Sequence, residues 1–395
     1  MNQFQAESFQ TKEAGAEGTP KEEFDLEEYL SNGVENIVKG AMKAAFRNPR
    51  EITYLSRYAL SARKAAALRK HAEGEEEHIP PFLIASITNR CNLHCAGCYA
   101  RSNHACFDYN QPNQLSKEEW GNVFTEAKEL GICFILLAGG EPFVRKDVLE
   151  EASLYPSILF PVFTNGTMMN EGFLELFDKN RNLVPVISIE GGRENTDVRR
   201  GSGVYDTLAE AMRAMEARGI LYGASVTVTK ANLKEVTGPE FVHFLSERGC
   251  KVIFYIEYVP VTKETKSLAL KEAERDYLRK CLSVLRKQKE QLLFISFPGD
   301  EKSSGGCLAA GRGFFHINAT GGAEPCPFSP YSDTNIRTTS LKEALSSPLF
   351  QQLRESGALL EEHAGGCVLF EKKEQVSQML VREEKQEKIK VQAKA

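Results

Sequence analysis

The chain has 395 residues, 42% of them hydrophobic and 26% charged, the make-up of an ordinary globular protein with one large domain and a smaller one. Its net charge of −5 gives no support to nucleic-acid binding driven by bulk charge, and without a long apolar run no membrane-spanning helix is expected. Ten cysteines behind an N-terminus that lacks an apolar signal core point to metal or redox chemistry in a reducing, cytoplasmic compartment.

Residues 1–22 are polar and carry few large apolar groups, so disorder is expected there. Residues 23–79 read as a helical extension. Leu26, Leu30, Val34, Ile37 and Val38 recur at helical spacing, and Asn48-Pro49 marks a break between two helices. The second helix carries Arg57, Arg63, Lys64, Arg69 and Lys70. A basic amphipathic helix can lie on a membrane surface. A helix that packs on the main domain with a solvated basic face is the reading we favour.

From Pro80 the texture changes. Short β-branched runs at Phe82–Thr88, Ile132–Ala138, Leu159–Thr164, Val184–Ile189, Tyr222–Thr229 and Val252–Val259 are predicted strands. Between them lie predicted helices such as Lys117–Leu130, Asn170–Asp178, Tyr205–Arg218 and Pro239–Arg248. This alternation predicts a parallel sheet with helices on one side. Cys133 lies inside the second run and Cys250 just before the sixth, and both read as small core residues. The single Trp120 reads as packing.

The first run leads into Cys91-Asn-Leu-His-Cys95-Ala-Gly-Cys98-Tyr99. Three thiolates on one tight loop can hold three corners of a cubane iron–sulfur cluster. A fourth local cysteine is absent from the run, so one iron keeps open positions for a small chelating ligand. A structural zinc ion is the main alternative, although zinc usually wants four ligands in separated pairs. The loop sits at the C-terminal end of a strand, where parallel sheets and barrels place their active sites.

This spacing and setting resemble the radical S-adenosylmethionine (SAM) superfamily. The resemblance implies a partial (β/α)6 TIM-like barrel over residues 80–300, with a 4Fe–4S cluster on Cys91, Cys95 and Cys98 that binds SAM and cleaves it to a 5′-deoxyadenosyl radical. Tyr99, directly after the last cysteine, belongs to the family pattern. So does Gly139-Gly140-Glu141-Pro142 at the end of the second strand, implied to hold the amino group of SAM. Asn165, Ser188 and Glu190 fall at later strand ends, where SAM contacts are implied; Glu190 stands where Asp is frequent. In Arg199-Arg200-Gly201, Arg200 matches the arginine implied to pair with the SAM carboxylate, and a guanidinium fork suits a carboxylate.

After about residue 300 the alternation stops. Phe314–Asn318, followed by glycines and Pro325, suggests a hairpin with Cys307 and Cys326 at its two ends. This resembles the opening of the auxiliary-cluster module called SPASM, or its short form Twitch. Cys367 is then a third ligand, residues 301–370 an auxiliary domain and residues 371–395 a charged tail. The later cysteine run of a full SPASM module is missing. The fourth ligand is left to substrate, to a distant cysteine such as Cys106 or Cys281, or to nothing. Burial, or a zinc site, is the plain alternative for these cysteines.

The resemblance implies an enzyme that abstracts hydrogen from a peptide, protein or cofactor precursor, served by a flavodoxin- or ferredoxin-type electron donor. Two other classes compete: a non-catalytic iron–sulfur carrier or oxygen sensor, and a zinc-stabilised scaffold.

Overall fold

A computed structural model describes residues 30, 35, 39–40, 48–75, 77–260, 265–288, 291–299, 305–361 and 367–380. The segment expected to be disordered and the end of the charged tail lie outside the described residues.

A ten-stranded sheet organises the molecule, in the order β10-β9-β8-β1-β2-β3-β4-β5-β6-β7. Seven parallel strands follow chain order: β1 (Phe82–Thr88), β2 (Phe134–Gly139), β3 (Phe160–Thr164), β4 (Leu183–Ser188), β5 (Gly223–Val228), β6 (Val252–Glu257) and β7 (Leu293–Phe297). The sheet curls without closing, the form of a partial TIM barrel. Side chains alternate along each strand. In β1, Leu83, Ala85 and Ile87 are sealed while Phe82, Ile84 and Ser86 turn to the inner face. Rings meet on that face, Phe163 on Phe254 at 5.1 Å and Phe297 on Phe314 at 5.8 Å.

Helices cover the outside. α3 (Lys117–Glu129) starts at a capping box, Ser116 with Glu119, and buries Trp120, Val123 and Phe124. Phe124 then meets Phe160 of β3 edge-on at 5.1 Å. α5 (Glu171–Lys179), α7 (Val204–Ala217) and α9 (Pro239–Glu247) follow β3, β4 and β5. The sequence reading missed the seventh unit, helix α10 (Glu272–Gln288) with β7.

α1 (Pro49–Glu73) packs across the starts of β2, β3 and β4. Asn48 caps it and Pro49 opens its first turn. Its buried stripe is Glu51, Leu55, Tyr58, Ala62, Ala65 and Arg69, spaced by three or four residues. Tyr58 and its neighbours pack on Cys133, Phe134, Leu159 and Val184 near the strand starts. Polar ties lock it in place. Tyr58 Oη donates to Cys133 O at 2.9 Å, Arg69 to Gly131 O at 2.8 Å, and Glu51 pairs with Arg181. One of the basic residues counted for a membrane face, Arg69, is therefore buried. Among the described residues no helix is long and apolar enough to cross a membrane.

The C-terminal part continues the same sheet. β8 (Phe314–Ile317) lies parallel to β1, with Phe314 opposite Phe82 and His316 opposite Ile84. β9 (Gly322–Glu324) returns antiparallel to form the expected hairpin, and β10 (Thr334–Asn335) ends the sheet. α11 (Leu341–Leu345) and α12 (Pro348–Glu355) then bury Leu341, Leu349, Phe350 and Leu353 in the main core. In the tail, Val376 and Met379 are buried as well, so its described part packs on the main core.

Candidate functional site

β1 ends at Thr88 and delivers the cysteine loop to the top of the barrel. Arg101, in the short helix α2 (Tyr99–Ser102), pins this loop by donating to Leu93 O at 3.0 and 2.8 Å and to Asp108 at 2.8 Å. Asp108 also meets His94 at 2.9 Å. Ala96 N donates to Arg199 O at 2.7 Å. Gly97 has a φ of 67°, and a Cβ there would lie 2.5 Å from Tyr258 Oη, so only glycine lets that ring reach beneath the loop.

The three thiols are half-buried, and those of Cys91 and Cys95 meet polar groups that suit a thiolate. Leu93 N at 3.5 Å and Asn165 Nδ2 at 3.9 Å donate to Cys91 Sγ, and Arg200 lies 3.9 Å from Cys95 Sγ. Burial raises the Cys95 thiol, against the pull of Arg200 and Arg199; Cys98 and Cys91 lie within electrostatic reach of it. Among the described residues no three His, Cys, Asp or Glu side chains stand close enough to hold one metal ion. A tetrahedral zinc with bonds of about 2.3 Å would draw its thiolates together. A cubane spreads them over separate corners.

The glycine pair is fitted to the loop's backbone. Gly139 has a φ of 122°, and a Cβ there would lie 2.2 Å from Thr88 O; at Gly140 it would lie 2.1 Å from Arg90 O. Gly140 N and Glu141 N donate to those same carbonyls, each at 2.8 Å. The Glu141 carboxylate points inward. It accepts from Thr164 Oγ1 at 2.6 Å, Asn165 N at 2.7 Å and Phe143 N at 3.0 Å. Burial pushes its carboxyl up to about 7, against these donors. Glu141 thus braces the ends of β2 and β3. Asn165 continues the brace, donating to Asn92 Oδ1 at 2.8 Å as well as to Cys91.

Across the mouth, Glu190 is buried and holds two arginines. Its Oε1 meets Arg199 Nε at 3.2 Å and Arg200, and its Oε2 accepts from Thr227 N at 2.9 Å. Arg200 Nε is buried without a hydrogen-bond partner beside the cysteine loop, the kind of orphan donor that a carboxylate satisfies. Ser188 sits opposite Ser225 on β5, on the inner side. The ring of Tyr99 meets Phe328 at a tilt of 60°, with centroids 4.7 Å apart. Burial, then Cys98 and Cys326, push its hydroxyl well above the usual tyrosine range. Tyr99 therefore stands between the two cysteine sets.

Two features escaped the sequence reading. Cys106 is not distant: Arg90 and Phe107 form a parallel bridge and Cys91 N donates to Phe107 O at 2.9 Å, so a fourth cysteine is local after all. A polar triad, with His316 and Glu324 buried and Ser86 half-buried, also crosses β1, β8 and β9. His316 Nδ1 meets Glu324 Oε2 at 2.7 Å and Nε2 meets Ser86 Oγ at 2.7 Å, while Asn318 donates to Glu324 at 2.6 Å. Glu324 stands two residues before Cys326, so the triad ties the hairpin that carries Cys326 to β1. A polar residue at each of three inward strand positions was the available signal.

The second cysteine set lies on the hairpin side. Cys307 N donates to Leu359 O at 2.8 Å, and the short helix α13 (Val368–Glu371), capped by Cys367, packs on the same turn. Cys326 is buried, and Pro325 O accepts from Ala310 N at 3.1 Å, tying the hairpin's end to the Cys307 segment. Cys281 lies on α10 within hydrogen-bond reach of Tyr277. In the cysteine loop, Cys91 and Cys95, each with a polar group beside its sulfur, suit thiolate ligands of an iron–sulfur cluster, and the orphan Nε of Arg200 suits a carboxylate beside them.

Comparison with known proteins agrees with this geometry. Residues 85–246 match the family model of the Radical SAM superfamily. The Fe-coproporphyrin III synthase of Methanosarcina barkeri is 26% identical over 56% of this chain and 54% of its own length. The chain thus spans about half of that relative. The AdoMet-dependent heme synthase of the same organism is 26% identical over 74% of this chain and 89% of its own. Among solved structures, Streptococcus suis SuiB bound to precursor peptide SuiA superposes with a TM-score of 0.61 at 19% identity, covering 77% of this chain and 75% of SuiB.

Proposed function

We propose, for a chain that belongs to the radical SAM superfamily through its domain at residues 85–246, that Cys91, Cys95 and Cys98 hold a 4Fe–4S cluster to which SAM binds. The reading rests above all on one observation: the cysteine loop, the Gly139–Gly140 turn and Arg200 meet at one end of the barrel. When bound, cluster and SAM supply a 5′-deoxyadenosyl radical that abstracts hydrogen from an unreactive carbon. The chain's own residues bind and orient. Arg200, held by Glu190, pairs with the SAM carboxylate. Carbonyls of the glycine turn accept from its amino group, while Glu141 keeps that turn in place. Ser188 and Asn165 lie at strand ends that face the ribose.

The substrate is a cofactor precursor or a peptide. Relatives named as heme synthases support the first and the peptide-bound SuiB fold the second. Cys307, Cys326 and Cys367 hold an auxiliary cluster, and a flavodoxin- or ferredoxin-type protein brings the electron. The test is anaerobic reconstitution followed by SAM and dithionite. About four irons per chain, or about eight with the auxiliary cluster, together with 5′-deoxyadenosine are expected. Arg200→Gln should weaken SAM binding about tenfold or more with iron unchanged, the loss of a charge-assisted pair. Iron without SAM cleavage would move the protein to the electron-carrier or sensor class.

A further inference from the structure

We propose that Tyr258, which follows β6, donates its hydroxyl hydrogen to a sulfur of the cluster and so makes that cluster easier to reduce. The proposal rests on the reading that Cys91, Cys95 and Cys98 hold an iron–sulfur cluster. Tyr258 N donates to Val228 O at 3.0 Å, which sets the residue at the ends of β5 and β6. Its side chain is held from two sides. The Arg199 guanidinium lies over the ring, 5.8 Å from the centroid, and Arg199 O accepts from Ala96 N at 2.7 Å. On the other side is the turn Cys95–Cys98, closed by Cys98 N donating to Cys95 O at 3.2 Å. A Cβ at Gly97 would lie 2.5 Å from Tyr258 Oη, 2.9 Å from Cε2 and 3.0 Å from Cζ. The hydroxyl end of the ring therefore meets the turn.

Packing accounts for the ring but leaves the hydroxyl unexplained. Tyr258 is 3% exposed, and its Oη has no hydrogen-bond partner among the described residues. A ring that only filled space would be served as well by phenylalanine. A buried O–H without an acceptor is a standing cost that a ligand can remove. The turn it touches carries Cys95 and Cys98, and the acceptors that arrive with a cluster are sulfurs bearing negative charge. Arg200 already serves the carboxylate of SAM in the same reading, which leaves Tyr258 to the cluster. A hydrogen bond to such a sulfur strengthens once the cluster has gained an electron. It favours the reduced form and raises the reduction potential.

A redox titration of the anaerobically reconstituted full chain without SAM, read by electron paramagnetic resonance, tests this. The signal of the motif cluster is the one that Cys95→Ala removes. Tyr258→Phe keeps the ring and should keep the wild-type iron count. Its motif signal should appear at a potential lower by about 59 mV, a roughly tenfold change in the one-electron equilibrium, the order expected for one hydrogen bond to a charged group. An unmoved potential overturns the proposal. Weaker SAM binding at an unmoved potential gives the hydroxyl to SAM and overturns it too, as does iron lost from Tyr258→Phe, which would make the hydroxyl a support of the loop. A wild type without iron removes the cluster reading as well. A wild type with iron beside an unmoved potential in Tyr258→Phe removes this assignment alone.

Discussion

Glu141 shows how a motif residue can serve the frame around a site. Three uncharged donors hold its carboxylate, and burial still raises its pKa to about 7 from an ordinary 4.5. The folded chain thus binds a proton more tightly than the unfolded one. That stability contribution is complete below about 4.5 and is lost as pH rises through about 7. The span corresponds to roughly 3 kcal/mol. Thermal unfolding followed from pH 5 to 8 should show this fall in the wild type and a flatter profile in Glu141→Gln. A wild-type profile as flat as the variant's would refute the assignment. At this scale the motif cysteines were legible because they adjoin one another in sequence. Cys106 was not, because only the return of residues 105–107 along the loop brings it to Cys91. His316, Ser86 and Glu324 stayed hidden for the same reason, since three strands must pair before they meet.

Elements were read more faithfully than single contacts. The predicted strand Phe82–Thr88 is found with the same ends, and five others within two residues, because β-branched runs flanked by amphipathic helices leave little freedom. β7 was overlooked; its five-residue apolar run follows a charged helix and offers no glycine or proline marker at its start. For α1 the favoured reading holds: the helix packs on the main domain through its buried stripe, with Arg57, Arg63, Lys64 and Lys70 exposed and only Arg69 turned inward. Leu55 is 1% exposed there, so Leu55→Ala should cost about 2–5 kcal/mol. Tyr58→Phe, which removes one buried hydrogen bond, should cost about 1 kcal/mol. Urea unfolding measures both, and a null result for Leu55→Ala would mean that α1 is not part of the cooperative fold.

Over the whole molecule, the hairpin that carries Cys326 is built into the sheet. β8 covers the edge of β1, the strand that feeds the cysteine loop, and Phe315 and Ile317 are fully buried. A chain ending at residue 299 would expose that edge and the core beneath it. It should aggregate on size-exclusion chromatography, whereas a soluble, monomeric fragment would show that the two parts fold separately. α1 packs on the strand starts, at the opposite end of the sheet from the cysteine loop. The two ends of the sheet therefore carry different duties: a change at Tyr58 or Leu55 is felt as lost anchoring of α1, whereas a Cβ added at Gly97 or Gly139 is felt in the cysteine loop and its backbone.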